Sequence, residues 1–528
     1  MSSLARSSVL AAALLAGTAS ATATVGQQPA VSPPVSQILD VMKRATRFMV
    51  EDVSTKGGYV WTYLPDRSRR WGELEARPTQ IWIQPPGTAT MGHLFLDAYH
   101  ATRDEYYYRA AESVAGALIQ AQHPSGGWNY LFDFAGQGSL REWYDTVGRN
   151  AWRMEEFQHH WDNATFDDSS TAVSAKLLLR VYVEKRDAKY KRALDKALAF
   201  VLDSQYPIGA WPQRFPLKNE FTHHGHSDYT SFLTFNDGVA GENIDFLVLY
   251  HQALGDERLR DAITRGMTAF LILQMGPPQP GWALQYTPDL QPAPARTYEP
   301  AALATHTTAA NIELLLRFYR LTGDTRFLAR IPEALDWLQG LALPPGSGRR
   351  PADTHPTFVE VGTNRPLYVH REGSNVVNGR YYADYRPERT LAHYSAFRRL
   401  DVAGLRSAYE QLRARSRAEA TAGSPLLAAP GVVPLPRFFA VAPAGGPSVA
   451  EALSGLNAQG YWPARLGTTS HPFTRQGSTE IAPGDFSQTQ VGDDTDTSPF
   501  PDGATLGIST AAYIRHMSVL IRALEDRR

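Results

Sequence analysis

Two short motifs place carboxylate and amide side chains immediately before segments with a helical pattern. ATFDDSSTA carries Asp167 and Asp168, and SFLTFNDGVAGEN carries Asn236 and Asp237. Such side chains commonly cap a helix N-terminus and interact with its dipole. Their oxygen atoms also suit Ca²⁺, although the spacing of an EF-hand loop is absent. The motifs therefore indicate either helix caps or a cation site.

Two later loops combine arginine with other groups that hold or move protons. PAPARTYEPAALATHT contains Arg296, Tyr298, Glu299 and His306, and FVEVGTNRPLYVHREGS contains Glu360, Asn364, Arg365, His370 and Arg371. A guanidinium fork can grip both oxygens of a carboxylate, although an arginine on a surface often forms only an ordinary salt bridge. Two arginine loops beside two acidic loops would hold an acidic sugar, directly through arginine and indirectly through a metal ion.

A loop that begins with GAWPQRFPL supplies Trp211 and Arg214 and continues into HHGHSDY. His223, His224 and His226 lack the helical spacing of a zinc motif such as HExxH, so the loop does not favour a transition metal.

A repeated pattern indicates how these loops are positioned. Four times, an apolar helical stretch ends in Tyr or His, and an Asp follows five residues later in a short turn: Tyr99 and Asp104, Tyr182 and Asp187, His251 and Asp256, Tyr319 and Asp324. The spacing fits a two-helix unit with a variable loop, in which the Asp caps the second helix. We predict a mainly α fold, an (α/α) toroid of helix hairpins.

Each unit ends in a loop that contains tryptophan, as at Trp128, Trp211 and Trp282. In a closed or nearly closed ring these loops emerge at one end and would line a cleft. An indole ring can stack on the C–H face of a sugar, so Trp211 and Trp282 are predicted to bind substrate. The alternative is that the tryptophans fill the toroid from above.

Composition limits the function classes. Lysine plus arginine number 52 and aspartate plus glutamate 53, so no overall basic field favours nucleic acid. Cysteine is absent, which excludes disulfides and thiolate chemistry. Arg6, an apolar run and small residues near position 20 predict a signal peptide over 1–23 and a secreted or periplasmic protein. No later stretch is long and apolar enough to span a membrane.

The toroid is predicted over residues 35–400, and residues 401–528 form a C-terminal extension. The extension contains a helix over 401–421, a connector rich in proline and glycine, and a final helix that begins near Ser509. The sequence leaves open whether it is an added subdomain or a strap that closes the ring.

Five motifs resemble, in their order along the chain, those of family 10 pectate lyases, the pectic acid lyase domain: GAWPQRFPL, SFLTFNDGVAGEN, GWALQY, ARTYEP and EVGTNRPLY. With ATFDDSSTA, the resemblance covers roughly residues 40 to 395. It implies a cleft for polygalacturonate, an acidic plant cell-wall polysaccharide, and calcium-assisted β-elimination by a monomer. By motif, Asp167 matches a functional aspartate, Asp237 a residue associated with calcium and substrate, Arg296 the base, and Arg365 a substrate-binding arginine.

The predicted site thus has three parts, and its proton acceptor stays open. The residues are Arg296, Asp167 and Tyr298 for catalysis; Arg365, Trp211, Arg214, Trp282 and Arg371 for substrate; and Asp237, Asn236 and Asp168 for Ca²⁺. Arginine is an awkward base because its pKa is above about 12, so Tyr298 and His306 are alternative acceptors.

The sequence departs from the family pattern at two positions, and two other functions remain open. Ala210 replaces the second of two glycines, and Gly238 stands where a second acidic residue often follows Asp237, which leaves the calcium requirement open. One alternative is a glycoside hydrolase that uses Asp167 and Asp237 as its carboxylate pair. The other is a polysaccharide-binding protein without catalysis.

Overall fold

The computed structural model describes residues 33–148, 155–218, 228–296, 298–372, 380–388, 394, 396–429, 431–436, 446–466 and 506–527. The predicted signal peptide, His223, His224, His226 and the side chain of Arg371 lie outside this described part. Within it, no helix is both long and apolar enough to cross a membrane.

Helices dominate the described residues. They are α1 (Val35–Arg47), α2 (Thr88–Thr102), α3 (Glu105–Ala121), α4 (Gln137–Trp143), α5 (Ser170–Lys185), α6 (Ala188–Asp203), α7 (Val239–Leu254), α8 (Leu259–Ile272), α9 (Thr305–Thr322), α10 (Arg326–Ala329), α11 (Ile331–Gly340), α12 (Val402–Arg413), α13 (Arg417–Ala420), α14 (Val449–Ser454) and α15 (Thr510–Glu525).

The long helices form successive hairpins around a ring. α2 packs on α3, α5 on α6, α7 on α8, and α9 on α11, while α2 also contacts α5, and α5 contacts α7. The first helix of a hairpin is buried on most sides, as in α5 and α7, whereas α3 and α6 are amphipathic and cover the outside. The predicted mainly α class and (α/α) toroid are therefore confirmed.

Two of the four aspartates of the repeated pattern cap the second helix of their hairpin, as predicted. Asp104 and Asp187 are the N-caps of α3 and α6, and each accepts a hydrogen bond from the backbone N–H two residues further along the chain, which satisfies an N–H group that the helix leaves without a partner at its start. Asp256 and Asp324 accept the same hydrogen bond in the turns before α8 and α10, but these helices begin after Arg258 and Thr325, so the capping prediction is wrong for this pair.

Short strands join the hairpins at one end of the ring. They are β1 (Thr62–Tyr63), β2 (Arg70–Trp71), β3 (Glu75–Ala76), β4 (Gln80–Trp82), β5 (Leu131–Asp133), β6 (Ala164–Thr165), β7 (Arg214–Phe215), β8 (Leu233–Thr234), β9 (Gln285–Tyr286), β10 (Ala302–Ala304), β11 (His355–Pro356), β12 (Phe358–Glu360), β13 (Pro366–Glu372), β14 (Arg380–Asp384), β15 (Phe397–Arg398), β16 (Ala464–Arg465) and β17 (Leu506–Ser509). The larger sheets have the orders β16-β17-β1-β2-β3 and β10-β12-β13-β14.

The end of the chain contributes to the toroid itself. α15 begins after its N-cap Ser509, as predicted, and packs against α1 and α2. β17 pairs with β1, with Thr62 opposite Ser509. The described part of 506–527 is therefore an element of the ring rather than an added subdomain. α12 likewise packs on α9 and α11.

Candidate functional site

Two loops of the same shape lead into α5 and α7, and we name them the first entry loop (164–169) and the second entry loop (233–238). Each has a two-residue strand and then a single 3-10 turn, Asp167–Ser169 or Asn236–Gly238. Asp168 and Asp237 both have left-handed backbones, with φ of 49° and 50°. Short polar residues tolerate this conformation. The two turns contact one another, so the two acidic motifs form one site.

Arg296 lies at the centre of this site and is almost completely buried, with 3% exposure. Its guanidinium nitrogens lie 2.9 Å from Glu299, 3.0 Å from Asp237, 3.4 Å from Asp167 and 3.5 Å from Glu156. The structure therefore brings together three residues predicted from separate motifs, Arg296, Asp167 and Asp237.

Buried tyrosines donate hydrogen bonds to the carboxylates around Arg296. Tyr130 donates to Asp167 at 2.6 Å, Tyr298 to Glu156 at 3.1 Å, and Tyr394 to Glu299 at 2.7 Å. The sequence prediction omitted Tyr130, Glu156 and Tyr394. Tyr130 follows Trp128 by two residues in one of the tryptophan loops, whereas Glu156 and Tyr394 lie outside the motifs, and only the fold places the three beside Arg296.

A bridge through Gln84 extends the acidic site. The Gln84 amide donates to Asp168 at 2.6 Å and to Glu73 at 2.9 Å, while its oxygen accepts from the Trp82 indole at 2.8 Å. Asn236 plays a similar part in the second entry loop, since its amide donates to Glu299 at 2.9 Å. We call Glu73, Glu156, Asp167, Asp168, Asp237 and Glu299 the acidic cluster.

The acidic cluster carries more negative charge than Arg296 can balance. Burial, followed by repulsion from Asp167, raises the pKa of both Asp168 and Asp237 well above the usual value. Burial and Glu156 raise the pKa of Glu73 to about 8. One oxygen of Asp167, Oδ1, is buried and accepts no hydrogen bond from the described residues. These features indicate a place for an additional cation or for protons.

The electrostatic surroundings disfavour Arg296 and Tyr298 as bases. Burial alone would lower the pKa of Arg296, but Glu299 and the other anionic neighbours raise it well above the usual value. Burial also raises the pKa of Tyr298, whose hydroxyl already donates to Glu156. Both groups therefore keep their protons, and Arg296 acts as a fixed positive charge.

His306, the other predicted alternative, has no proton to lose near pH 7 and lines a cavity. Burial, followed by repulsion from Arg398, lowers the pKa of His306 to about 3, so its imidazole is neutral near pH 7. Its Nδ1 has no hydrogen-bond partner among the described residues. It lines a cavity of about 310 Å³ together with Asp237, Tyr394 and Arg398.

The prediction that Trp211 and Trp282 stack on substrate is wrong, because both side chains have 0% exposure. Their indole N–H groups donate to Val201 and Phe270 in the last turns of α6 and α8, at 2.8 and 2.9 Å. The final carbonyls of a helix lack intrahelical partners, which explains the preference for a buried indole there.

The tryptophans also join neighbouring units. The backbone carbonyls of these tryptophans also accept hydrogen bonds from the strand that precedes the next hairpin. The pairs are Trp128 with Thr165 in β6, Trp211 with Thr234 in β8, and Trp282 with Ala304 in β10. The alternative interpretation, in which the tryptophans fill the ring, therefore holds.

The predicted substrate arginines occupy different environments. Arg214 is buried, and both of its terminal nitrogens donate to Asn129, at 2.9 and 3.2 Å. Its guanidinium also faces the ring of Tyr130, so Arg214 is held inside the protein, and its contact with substrate stays a prediction. Arg365 is exposed over the ring of Tyr385, and no contact among the described residues joins it to Arg296.

The described residues contain no group of three or more acidic or histidine side chains arranged to hold a metal ion. Asp168, Asn236 and Asp237 are nevertheless close to one another through the contacting turns of the entry loops. Any cation there needs further ligands beyond the protein.

Several solved structures resemble the chain at low similarity. A family 10 polysaccharide lyase from Cellvibrio cellulosa is 20% identical, covers 52% of this chain and 84% of its own, and has a TM-score of 0.37. Another structure of that lyase, a mutant in complex with trigalacturonic acid, is 19% identical, with coverage of 53% and 86% and a TM-score of 0.37. Cellobiose 2-epimerase from Spirochaeta thermophila is 10% identical, with coverage of 93% and 97% and a TM-score of 0.43. Scores this low support no conclusion by themselves.

The sequence itself gives the more specific finding. No curated protein matches the chain. Residues 141–318 match the family described as pectic acid lyase. This range contains Arg296 and the four carboxylates that form ion pairs with it. Over residues 141–318 the chain is therefore similar to the pectic acid lyase family, in agreement with the resemblance that its motifs indicated.

Proposed function

We propose that the chain is a polysaccharide lyase that cleaves a galacturonate polymer by β-elimination. One observation carries the proposal: the segment that matches pectic acid lyases supplies both Arg296 and the four carboxylates around it. A polyuronate would approach this site through the cavity beside Asp237 and His306.

The reaction needs stabilisation of negative charge next to a proton acceptor. A base removes the proton from C5, the C4–O4 bond breaks, the leaving oxygen takes up a proton, and a double bond forms between C4 and C5. Charge develops on the uronate carboxylate during the first step. A buried, permanently charged guanidinium such as Arg296 stabilises that charge in a site that excludes water.

We further propose His306 as the proton acceptor when substrate is bound, because a uronate carboxylate in the cavity would raise the low pKa of its imidazole by favouring the charged form. Its neutral imidazole lines the cavity, whereas Arg296 and Tyr298 retain their protons. A base must reach the proton it removes, either directly or through one water molecule, and the cavity gives His306 that access.

The acidic cluster fits a bound calcium ion in charge and in donor chemistry. A polyanion does not enter an acidic pocket unless a cation lies between them, and Asp167 has a buried oxygen without a donor. Asp168, Asn236 and Asp237 would hold Ca²⁺, with substrate carboxylate and water as the remaining ligands. When bound, Ca²⁺ would withdraw electron density from the uronate carboxylate.

The direct test is to incubate the purified protein with polygalacturonate, in calcium or in a chelator. The proposed elimination produces an unsaturated uronate that absorbs ultraviolet light, and its formation should stop in the chelator. New reducing ends without that absorbance would instead indicate a glycoside hydrolase. If neither absorbance nor new reducing ends form on a panel of uronate polymers, the protein binds the polymer without cleaving it.

Secretion and a monomeric state belong to the same proposal. An enzyme that acts on a plant cell-wall polymer must meet it outside the cytoplasm, in agreement with the signal peptide predicted over 1–23. Mass determination of the exported protein would test both points.

A further inference from the structure

A groove on the outside of the toroid has no role in the proposed reaction. It lies between α3 and α6, has a volume of about 1120 Å³, and includes residues of the loop after α3 such as His123. The residues that line it come from consecutive turns of the two helices, so it follows the helix axes over several turns. We propose that this groove binds a second stretch of the polyuronate chain.

The charges on the groove favour a polyanion. Arg109, Lys189, Arg192 and Lys196 line it, against a single carboxylate, Glu112. Glu112 already pairs with Lys189 at 3.3 Å. Among the described residues, Arg109, Arg192 and Lys196 form no ion pair, although all three are exposed. This local excess of positive charge contrasts with a chain whose formal net charge is −1.

The floor of the groove suits a sugar more than a compact anion. Ser113, Gly116, Ile119 and Ala193 leave it shallow and partly apolar. A Cβ atom added at Gly116 would meet nothing within 4 Å, so there is open space above the helix backbone. Small residues in the centre and cations at the edge allow C–H groups of a pyranose to lie on the floor while carboxylates reach the cations.

The cations of α6 recur along one side of that helix. Lys189, Arg192 and Lys196 follow one another at steps of three and four residues, which places them in one row. A linear polyuronate also presents carboxylates at regular intervals. The row of cations can therefore contact several sugar units of one polymer chain at once. A single phosphate or sulfate ion is too small to contact all three cations.

This groove would raise affinity for long substrates without contributing to the reaction. Its residues belong to outer helices, whereas the acidic cluster lies in loops that enter the inner helices. Two linked contacts on one polymer increase the apparent affinity through effective concentration. The identity of the polymer rests on the proposed function, but binding in the groove does not.

The test compares two triple variants in an Asp237→Asn background with a calcium chelator present, so that cleavage of the polymer is slow during the measurement. One variant carries Arg109→Gln, Arg192→Gln and Lys196→Gln. The control carries Arg258→Gln, Arg326→Gln and Arg413→Gln, which remove three exposed charges elsewhere on the surface. Affinity electrophoresis in gels with polygalacturonate, and with fully methyl-esterified pectin as the uncharged polymer, gives the apparent Kd.

We expect the groove variant to bind polygalacturonate about tenfold more weakly, while the control changes by less than about twofold. The difference should shrink at high salt, and methyl-esterified pectin should not distinguish the proteins. With Asp237 restored, turnover of trigalacturonate should be the same in the groove variant and the wild type. Equal retardation of both variants, or loss of trigalacturonate turnover in the groove variant, would overturn the inference.

The two proposals fail in different ways. If the groove variant binds polygalacturonate more weakly than the wild type, but the wild type never forms an unsaturated product, the lyase proposal is wrong and the groove proposal is supported. If the wild type forms that product, but replacing the three cations does not change the apparent Kd, only the groove proposal is wrong.

Discussion

The two entry loops share one backbone shape but place their side chains in different surroundings. In the first loop, Asp167 is fully buried against Tyr130 and Arg296. In the second loop, the equivalent position is Asn236, which is neutral and donates to Glu299. The next residue, Asp168 or Asp237, is closer to the surface in both loops, and the Asp237 side chain keeps 24% exposure. The repeat thus supplies one inner, buried position and one outer, partly exposed position.

Both entry loops place a carboxylate beside Arg296, so Arg296→Met affects both loops at once. We expect this variant to lose more activity and stability than any other. The change leaves the carboxylates from both loops without their cation, and breaking a buried ion pair in this way costs about 3–5 kcal/mol. We expect elimination activity to be lost and the free energy of unfolding to fall, as measured by product absorbance and urea denaturation. Arg365→Met, on the exposed arginine, should leave stability almost unchanged. Near-normal turnover of Arg296→Met would contradict the central role given to this residue.

Asp237→Asn and Asp168→Asn compare the outer positions. Asp237 contacts Arg296 and lines the cavity, so we expect its replacement to lower kcat by roughly 10²–10³-fold, as for other charge-stabilising groups. Asp168 is bound through Gln84 and does not contact Arg296 within the described residues, so its effect on kcat should be smaller. Steady-state measurement of kcat for both variants at saturating calcium tests this order. A larger loss of kcat in Asp168→Asn than in Asp237→Asn would contradict it.

His306→Ala separates the proton acceptor from the charged groups around it. Since the imidazole is neutral, its loss should lower kcat by about 10²-fold or more and leave polymer binding nearly intact. The same variant should lose no stability through ion pairs. An unchanged kcat would show that His306 is not the proton acceptor and that another group is the base.

The pH dependence of stability tests the surplus charge of the acidic cluster. The folded-state pKa of Glu73 is raised to about 8, and those of Asp168 and Asp237 are raised as well, so the folded protein binds more protons than the unfolded chain. This contribution to stability should therefore fall as pH rises from the ordinary carboxyl pKa towards 8. Buried histidines such as His306 titrate in the opposite sense, so the comparison is with Glu73→Gln, which keeps them: scanning calorimetry without calcium should show the Tm of the wild type falling relative to that of Glu73→Gln from pH 5 to pH 8. A Tm difference that is independent of pH would argue against the charge surplus.

Trp211→Phe should have the smallest effect on activity. The indole is buried and hydrogen-bonded to the end of α6, so its loss should cost about 1–3 kcal/mol of stability and leave KM unchanged. A higher KM with normal stability would restore the rejected interpretation of a sugar-stacking tryptophan.

Much of the architecture could be predicted from the chain alone. The apolar periodicity and the recurring Tyr/His and Asp pattern determined the helix hairpins, and two of the aspartates, Asp104 and Asp187, cap helices as their chemistry requires. The motifs also identified Asp167, Asp237 and Arg296, because polar residues in loops between repeats stand out against the apolar helices. These are local signals, so they need no knowledge of distant contacts.

Only the tertiary structure decided how those residues are used. The ion pairs of Arg296 join positions as far apart as Glu156 and Glu299, and the hydroxyl of Tyr394 comes from beyond the fourth hairpin. The surroundings then determined protonation: Glu299 and the other anionic neighbours keep Arg296 charged, and burial keeps His306 neutral. The tertiary structure also shows that Trp211 and Trp282 lie buried between neighbouring hairpins and not in the predicted cleft. Their indole N–H groups donate to carbonyls at helix ends, which have no partner within the helix.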